Sequence, residues 1–265
     1  MRSAICISGL ARTYKKTVKS FNENILAPLK ELGQTDVFVS IWDKPDIADL
    51  IPVKALDFYV AVAGDGELAG YQIRDRDLNY TEEDLDANEI YKLYSPKCLE
   101  VENFNSLKEL FHLSKYTSRK CPVPSIMKGD LFLPMVSQYK ILKCNLLKTN
   151  YENMHNFTYD LVVRARFDFE IEKLRVGELE LDKLNCLYCQ DDKKVSDYFY
   201  ISNSTIMDRV CGLFYNYDYL FNQVDTFWGD RSLKAHMDTC EVKVKEMKGY
   251  KYTFVRELFR QDYYS

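Results

Sequence analysis

Charged residues alternate with hydrophobic ones in the segment Tyr159–Glu170, which reads YDLVVRARFDFE. This pattern is typical of a buried β-strand, in which successive side chains point to opposite faces. One face would then carry the four charged side chains of Arg164, Arg166, Asp168 and Glu170. Because buried ions need partners, these side chains either neutralise one another or bind a charged ligand. Since both signs are present, a pyrophosphate, with or without a divalent cation, would suit this face.

A glycine-containing loop, Ser8-Gly9-Leu10-Ala11-Arg12, follows the first hydrophobic segment and precedes a helical pattern. Glycine permits a tight turn and a close backbone approach, and a helix N-terminus attracts anions. Arg12 would add a charge-assisted hydrogen bond to a phosphate. The loop therefore predicts phosphate contacts, although an ordinary turn with a solvent-facing arginine fits it equally well.

Two further pairs of residues are candidate substrate ligands. Trp42 and Asp43 end the second hydrophobic strand, where an indole could stack on a base or sugar and a carboxylate could accept from a hydroxyl. Gln138 and Lys143 lie on a long helical segment that leads into the charged strand, and could point towards a nucleotide. The alternatives are a core tryptophan, a capping aspartate and a solvated helix face.

Acidic residues later in the chain are candidates for the base that a hydroxyl group needs before it attacks. Asp197 and Asp230 are the best placed in the sequence. Each lies near an aromatic residue, Tyr198 or Trp228, that could receive a sugar ring.

Three residues are candidate ligands for a divalent cation, Mn²⁺ or Mg²⁺. Asp168 and Glu170 would supply carboxylates from the charged strand, and His236 would add an imidazole from a short helical segment. For His236, a packed or capping role is the alternative interpretation.

Strands that alternate with helices must position these residues, which predicts an α/β fold with a mainly parallel sheet. Buried strands are predicted at 3–8, 36–41, 96–101, 159–170, 197–202 and within 241–255. Helices are predicted at 13–32, 106–116, 131–154, 203–219 and 230–239, with loops and short helices at 44–95 and a loop at 117–130. The first strand, helix and second strand form a βαβ unit, and ligands bind at the carboxyl ends of strands in such sheets.

The composition is that of a globular protein, with 265 residues, 46% of them hydrophobic, and a net charge of −4. This acidic balance argues against a general nucleic-acid-binding surface. The eight cysteines lie mostly in apolar runs, which predicts reduced, buried thiols. The sequence offers no apolar run of the kind that signal peptides and transmembrane helices need. Together these features predict a cytoplasmic protein.

Several segments resemble GT-A-type glycosyltransferases of a group found in large DNA viruses, phages and bacteria: CISGLARTY, DVFVSIW, the long helix leading into YDLVVRARFD, and the later acidic segment before a helix. The resemblance covers nearly the whole chain. It implies one GT-A-like (Rossmann-like) domain over residues 1–265, with a mixed, mainly parallel sheet flanked by helices. It also implies transfer of a sugar from a nucleoside-diphosphate sugar to a glycan hydroxyl, in the host cytoplasm if the source is a virus.

The resemblance assigns roles by position. The nucleotide would be faced by Ser8, Gly9, Arg12 and Trp42, and the base would be Asp230 or Asp197. Arg164, Arg166 and Asp168 would occupy the region of the D-x-D motif, which binds metal, diphosphate and sugar in such enzymes. This sequence reads R-x-R-x-D-x-E instead. Either the two acids chelate a cation, or the arginines take its place in stabilising the leaving diphosphate.

Two other functions are compatible with the sequence. A sulfotransferase or another nucleotide-dependent transferase could use the SGLAR loop, although no P-loop-like run supports it. A non-catalytic carbohydrate-binding module is suggested by 20 tyrosines and 15 phenylalanines, but most of these occupy positions typical of core packing.

Overall fold

The computed structural model describes residues 1–43, 85–103, 133–190, 194–223 and 229–255, and the backbone of 260–264. The predicted helix at 106–116 and the predicted loop at 117–130 lie outside these ranges, as do most of the predicted loops at 44–95. Trp228 also lies outside them.

The strands, in chain order, are β1 (Arg2–Gly9), β2 (Gln34–Trp42), β3 (Cys98–Glu102), β4 (Leu161–Ala165), β5 (Phe169–Ile171), β6 (Leu184–Cys186), β7 (Cys189–Gln190), β8 (Lys194–Val195), β9 (Tyr200–Ser202), β10 (Val244–Glu246), β11 (Lys251–Val255) and β12 (Arg260–Tyr264). The helices are α1 (Tyr14–Phe21), α2 (Ala27–Lys30), α3 (Ala87–Tyr94), α4 (Leu133–His155), α5 (Ser204–Cys211), α6 (Tyr217–Gln223) and α7 (Gly229–Thr239). A π-helical turn at Asn22–Leu26 joins α1 to α2, and a 3₁₀ turn at Gly212–Asn216 joins α5 to α6.

The prediction of an α/β fold is confirmed. A mixed, mainly parallel sheet of seven strands has the order β3-β2-β1-β4-β9-β6-β10 and is flanked by helices, as in Rossmann-like folds. The strands β1 to β4 are parallel, β9 is antiparallel to both β4 and β6, and β10 is parallel to β6. Chain order reverses between β1 and β4, which makes a topological switch point where such sheets bind ligands.

The two faces of the sheet bury separate cores. Ala4, Cys6 and Val162 pack beneath α4 and α5, in one cluster. Ile5 and Ile7 belong to the opposite cluster, together with residues of α1, the π-helical turn and α2. This alternation along each strand is why hydrophobic runs in the sequence predicted buried strands correctly.

The charged segment is not one strand, and this part of the prediction is wrong. β4 ends at Ala165, residues 166–168 turn, and β5 then joins a second sheet with the order β12-β11-β5. β5 pairs antiparallel with β11, with Glu170 opposite Thr253. Because the chain changes sheet, the four charged side chains do not share one face. β4 pairs with β9, whereas β5 pairs with β11, and both partners are remote in sequence.

Among the described residues, no helix is both long and apolar enough to cross a lipid bilayer. The seven cysteines in those ranges are all free thiols.

Candidate functional site

The loop after β1 and the turn after β4 lie side by side at the switch point, because Ile7 and Ala165 are partners in adjacent parallel strands. Gly9 has a φ of 112°, in the region that only glycine adopts readily. Four residues separate the end of β1 from the start of α1, and the Thr17 hydroxyl of α1 donates to the carbonyl of Phe167. The helix N-terminus is thereby fixed beside the turn that carries Arg166 and Asp168.

Arg166 and Asp168 form a bidentate ion pair. Nε of Arg166 donates to Oδ1 of Asp168, and Nη2 donates to Oδ2, each at 2.7 Å. Asp168 is buried, whereas the Arg166 side chain is 22% exposed. The guanidinium carbon also lies 5.9 Å from the ring of Tyr198 and 5.6 Å from that of Phe254. Burial alone would lower the pKa of Arg166, but the Asp168 carboxylate raises it well above its usual value.

This pairing orients the guanidinium of Arg166. One edge is held by Asp168 and the plane is packed on aromatic rings, so that Nη1 is the part left for another acceptor. Within the described residues, Nη1 has no protein acceptor. A guanidinium fixed in this way is pre-organised for a phosphate oxygen. Both carboxylate oxygens of Asp168, which the sequence suggested as a metal ligand, accept from Arg166 in the structure.

Arg164 is a deeply buried cation. Its Nη1 donates to the carbonyl of Tyr198, and its guanidinium lies 5.7 Å from the ring of Tyr200. Nε has no hydrogen-bond partner within the described residues, and in those ranges no carboxylate lies within salt-bridge distance. Burial lowers the pKa of Arg164. A buried guanidinium with an unmet donor is costly, and an anionic or polar ligand would relieve that cost.

Asp197 and Asp230, the two acids predicted as bases, lie together. The Asp197 carboxylate rests against the backbone of Gly229 at the start of α7: a β-carbon added to Gly229 would be 2.1 Å from Oδ2 of Asp197. Asp230 follows in the first turn of α7, is 8% exposed, and has no partner for Oδ1 among the described residues.

Both carboxylates hold protons more tightly than usual. Burial raises the pKa of Asp197, the nearby Arg164 and Arg166 oppose this rise, and Asp230 adds to it. Burial also raises the pKa of Asp230, against the opposing charge of Lys194. Asp197 therefore lies within electrostatic reach of both arginines and of Asp230, and acids with raised pKa values beside cations are typical of acid–base sites.

Trp42 and Asp43 follow Ile41, the register partner of Gly9, at the end of β2. Trp42 is 1% exposed, stacks on Tyr139 with 5.8 Å between ring centroids, and lies 4.4 Å below the ammonium group of Lys140. Its indole is a core group rather than a platform for a base. Asp43 accepts from the side-chain amide of Asn103, so that it fastens the end of β2 to the end of β3.

Lys143, another predicted substrate ligand, lies in a network of ion pairs. Lys143 forms ion pairs with Glu100 (3.0 Å) and Glu102 (3.5 Å), which attach α4 to β3. The buried Lys140 also forms an ion pair with Glu102. Burial would raise the pKa of Glu102, but this ion pair lowers it below its usual value.

Arg12 is half-buried in the loop after β1. Ser8 and Gln138 are buried near the site, and each has a polar atom without a hydrogen-bond partner among the described residues.

The predicted cation ligands are not brought together. His236 is buried, donates from Nε2 to the carbonyl of Arg209 (2.8 Å), and accepts from Asn216 at Nδ1 (3.3 Å). Burial lowers its pKa. Asp168 is held by Arg166, and Glu170 lies in the second sheet. In the described ranges, no three His, Cys, Asp or Glu side chains are placed to hold one metal ion.

Sequence reasoning missed Gly229 and Phe254, which hold Asp197 and Arg166 in place. Neither belongs to a recognisable motif, since each contact joins elements far apart in the chain. No protein-family model matches the chain, and no curated protein matches it significantly. The functional interpretation therefore depends on the geometry of the site.

Proposed function

We propose that the protein is a nucleotide-sugar-dependent glycosyltransferase of the GT-A type, which moves a sugar from a nucleoside-diphosphate sugar to a glycan hydroxyl. One observation carries the proposal. Two arginines and two carboxylates with raised pKa values converge beside the switch point of a Rossmann-like sheet. Cations suit the diphosphate, and carboxylates with raised pKa values suit the hydroxyl that attacks the sugar, because each is a stronger base in its ionised form.

The arginines bind and stabilise the diphosphate. Arg166 donates from Nη1 to a phosphate oxygen, while Asp168 keeps its guanidinium in position. Arg164 stabilises the diphosphate through its positive charge, since it is buried without a carboxylate at salt-bridge distance among the described residues. As the bond to the sugar breaks, charge grows on the leaving diphosphate, and both arginines stabilise it more strongly than in the ground state.

The carboxylates handle the acceptor. Asp197 or Asp230 accepts the proton of the acceptor hydroxyl as the oxygen attacks the sugar carbon. A raised pKa makes either group a stronger base than an ordinary aspartate. The predicted ligands Asp168, Glu170 and His236 do not fit a divalent cation, because one is ion-paired, one lies in another sheet and one is bonded in the core. No step of this mechanism is assigned to a metal.

A ligand screen tests the proposal. Melting temperature is measured with a panel of nucleoside diphosphates and their sugars, each with and without Mn²⁺. One nucleotide should raise the melting temperature of the wild-type protein and fail to raise that of Arg166→Lys. Transfer or slow hydrolysis of the matching nucleotide sugar should follow. Stabilisation by an adenosine bisphosphate alone would favour a sulfotransferase, and glycan binding without any nucleotide response would favour a binding module.

A further inference from the structure

We propose that Ser8, Gln138 and Arg164 form a buried subsite that binds a vicinal diol, carried either by the ribose or by the transferred sugar of the donor. This inference rests on the proposed function. It adds to that function the part of the donor that these three side chains recognise.

Each of the three side chains is buried and has at least one polar atom without a protein partner within the described ranges. Ser8 is 4% exposed, Gln138 2% and Arg164 3%. The unbonded atoms are Oγ of Ser8, Oε1 of Gln138 and Nε of Arg164. Buried polar atoms in folded proteins nearly always have partners. A ligand that reached all three atoms would supply the missing bonds.

Ser8 and Arg164 lie on the same face of the sheet, at adjacent strand ends. Cys6 of β1 is the register partner of Arg164 of β4. Ser8 follows Cys6 by two residues and therefore points to the same face of the sheet as Cys6 and Arg164, which is the face covered by α4. With adjacent strands about 4.8 Å apart and a rise of about 3.3 Å per residue, the two positions lie roughly 8 Å apart, a span that one small ligand can bridge.

Helix α4 brings Gln138 to the same end of the sheet. Its Lys140 donates to Ser40, which is the register partner of Ser8 in β2, at 3.3 Å. At the other end of α4, Glu152 accepts from the backbone of Tyr159, just before β4 begins. The helix therefore runs antiparallel to β1, with Gln138 near the carboxyl ends of the strands.

The side of α4 that carries Gln138 faces β4. Asn145, which follows Gln138 by two helical turns on the same side, donates to Asp208 of α5 at 2.7 Å. Helix α5 packs over β4 and β9. Gln138 therefore points over the boundary between β1 and β4, above Ser8 and Arg164.

The three unbonded atoms define the chemistry of the ligand. Oε1 of Gln138 only accepts, Nε of Arg164 only donates, and the Ser8 hydroxyl does both. With the Gln138 amide oriented as in the structure, an ionised phosphate would satisfy Arg164 but has no proton for Oε1 of Gln138. Two adjacent hydroxyl groups both donate and accept, and they satisfy all three atoms. The diphosphate accepts from Nη1 of Arg166, and Arg164, whose Nε is bonded to the diol, acts on the diphosphate only through its charge.

Calorimetry with the nucleoside diphosphate that stabilises the protein most, and with its 2′-deoxy analogue, tests a ribose diol. The wild-type protein should bind the 2′-deoxy nucleotide roughly tenfold more weakly. Ser8→Ala and Gln138→Met should bind the ribonucleotide about tenfold more weakly than wild type and should no longer discriminate. Ser3→Ala is the matched control, because Ser3 is a buried serine at the other end of β1 whose hydroxyl is bonded to Thr35.

A diol of the transferred sugar gives a different result. The ribonucleotide and its 2′-deoxy analogue would then bind alike, and both variants would weaken binding of the nucleotide sugar but not of the nucleoside diphosphate. Either pattern supports the subsite, and the comparison identifies the source of the diol.

Thermal unfolding of the ligand-free proteins supplies a readout independent of binding. Ser8→Ala and Gln138→Met remove unbonded polar atoms, so the melting temperature should stay constant or rise. A clear fall would show that these atoms have protein partners and would overturn the inference. Wild-type affinity for nucleotide and nucleotide sugar in both variants would also overturn it, while leaving the proposed function intact. If the wild-type protein bound no nucleotide or nucleotide sugar, the proposed function would fail, and this inference with it.

Discussion

Arg166 and Asp168, two residues apart in the chain, form a closed ion pair in which both carboxylate oxygens accept from one guanidinium at 2.7 Å. The pair exists because the chain turns between β4 and β5, whereas in a continuous strand both side chains would extend side by side from one face. It places a fixed cation at the carboxyl end of β4. The consequences of the pair for stability and for binding can be separated experimentally.

The Arg166–Asp168 pair should show strong thermodynamic coupling. Arg166→Ala leaves a buried carboxylate without its main partner, so the free energy of unfolding should fall by about 3 kcal/mol. Asp168→Ala should also destabilise the protein, whereas the double variant should recover much of the loss because neither charge remains unpaired. Urea denaturation of the four proteins measures the coupling. Additive losses in the double variant would contradict the pairing.

Arg166→Lys separates charge from geometry. The lysine keeps a positive charge beside Asp168, so the fold should be retained, but it cannot hold Asp168 with one edge and a phosphate with another. We expect affinity for the stabilising nucleoside diphosphate to fall by about tenfold or more, as for the loss of a charge-assisted bond. Isothermal calorimetry measures this affinity. Lys173→Arg, at a largely exposed surface position, is the control and should leave it unchanged.

Local patterns were sufficient to predict much of the fold. The unit formed by β1, α1, α2 and β2 was evident because hydrophobic residues recur with strand and helix periods on either side of the glycine loop. The charged segment was misread because its alternation continues through the turn at 166–168, where the pairing of β4 with β9 and of β5 with β11 decides the path. Such pairings join distant segments, and a local pattern carries no information about them.

The candidate site was predictable only in part for the same reason. Arg164 and Arg166 were candidates because charged residues in a buried strand are unusual, and Asp197 and Asp230 were candidates because each lies near an aromatic residue. Trp42 and His236 were candidates on residue type, but each is held in the core by a distant part of the chain. Trp42 stacks on Tyr139 of α4, and His236 donates to the carbonyl of Arg209. The pairing of Asp168 with Arg166 follows from a turn that the sequence pattern did not reveal.

Asp197 should govern both catalysis and the pH dependence of stability. Its pKa is raised in the folded protein, so it holds a proton that the unfolded chain has released. Stability attributable to this group is therefore highest at low pH and falls as pH rises from the ordinary carboxyl pKa through the raised one. Asp197→Asn should remove that decline and be more stable than wild type at neutral pH. Denaturant titrations across acidic and neutral pH measure the effect.

The same variant addresses the catalytic role of Asp197. Loss of a general base should reduce turnover by about 100-fold or more. In the wild-type protein, the acid limb of kcat/KM should lie above the pH expected for an ordinary carboxyl group, since the base must be ionised to act. Asp238→Asn, a largely exposed carboxylate on α7, is the control. Full turnover in Asp197→Asn would transfer the role to Asp230.

Gly229→Ala should displace the base without unfolding the protein. The new β-carbon would lie 2.1 Å from Oδ2 of Asp197, which forces the carboxylate to rotate away while the backbone stays in place. We expect turnover to fall by about tenfold or more, because displacement of a catalytic group by about 1 Å is sufficient for losses of that size. Nucleotide affinity should change little, since Arg166 does not contact this glycine. Gly212→Ala is the matched control, because a β-carbon there meets no atom within 4 Å. Turnover, nucleotide affinity and melting temperature are measured on both variants. If Gly229→Ala and Gly212→Ala had the same turnover, the position of Asp197 against α7 would not be required for the reaction.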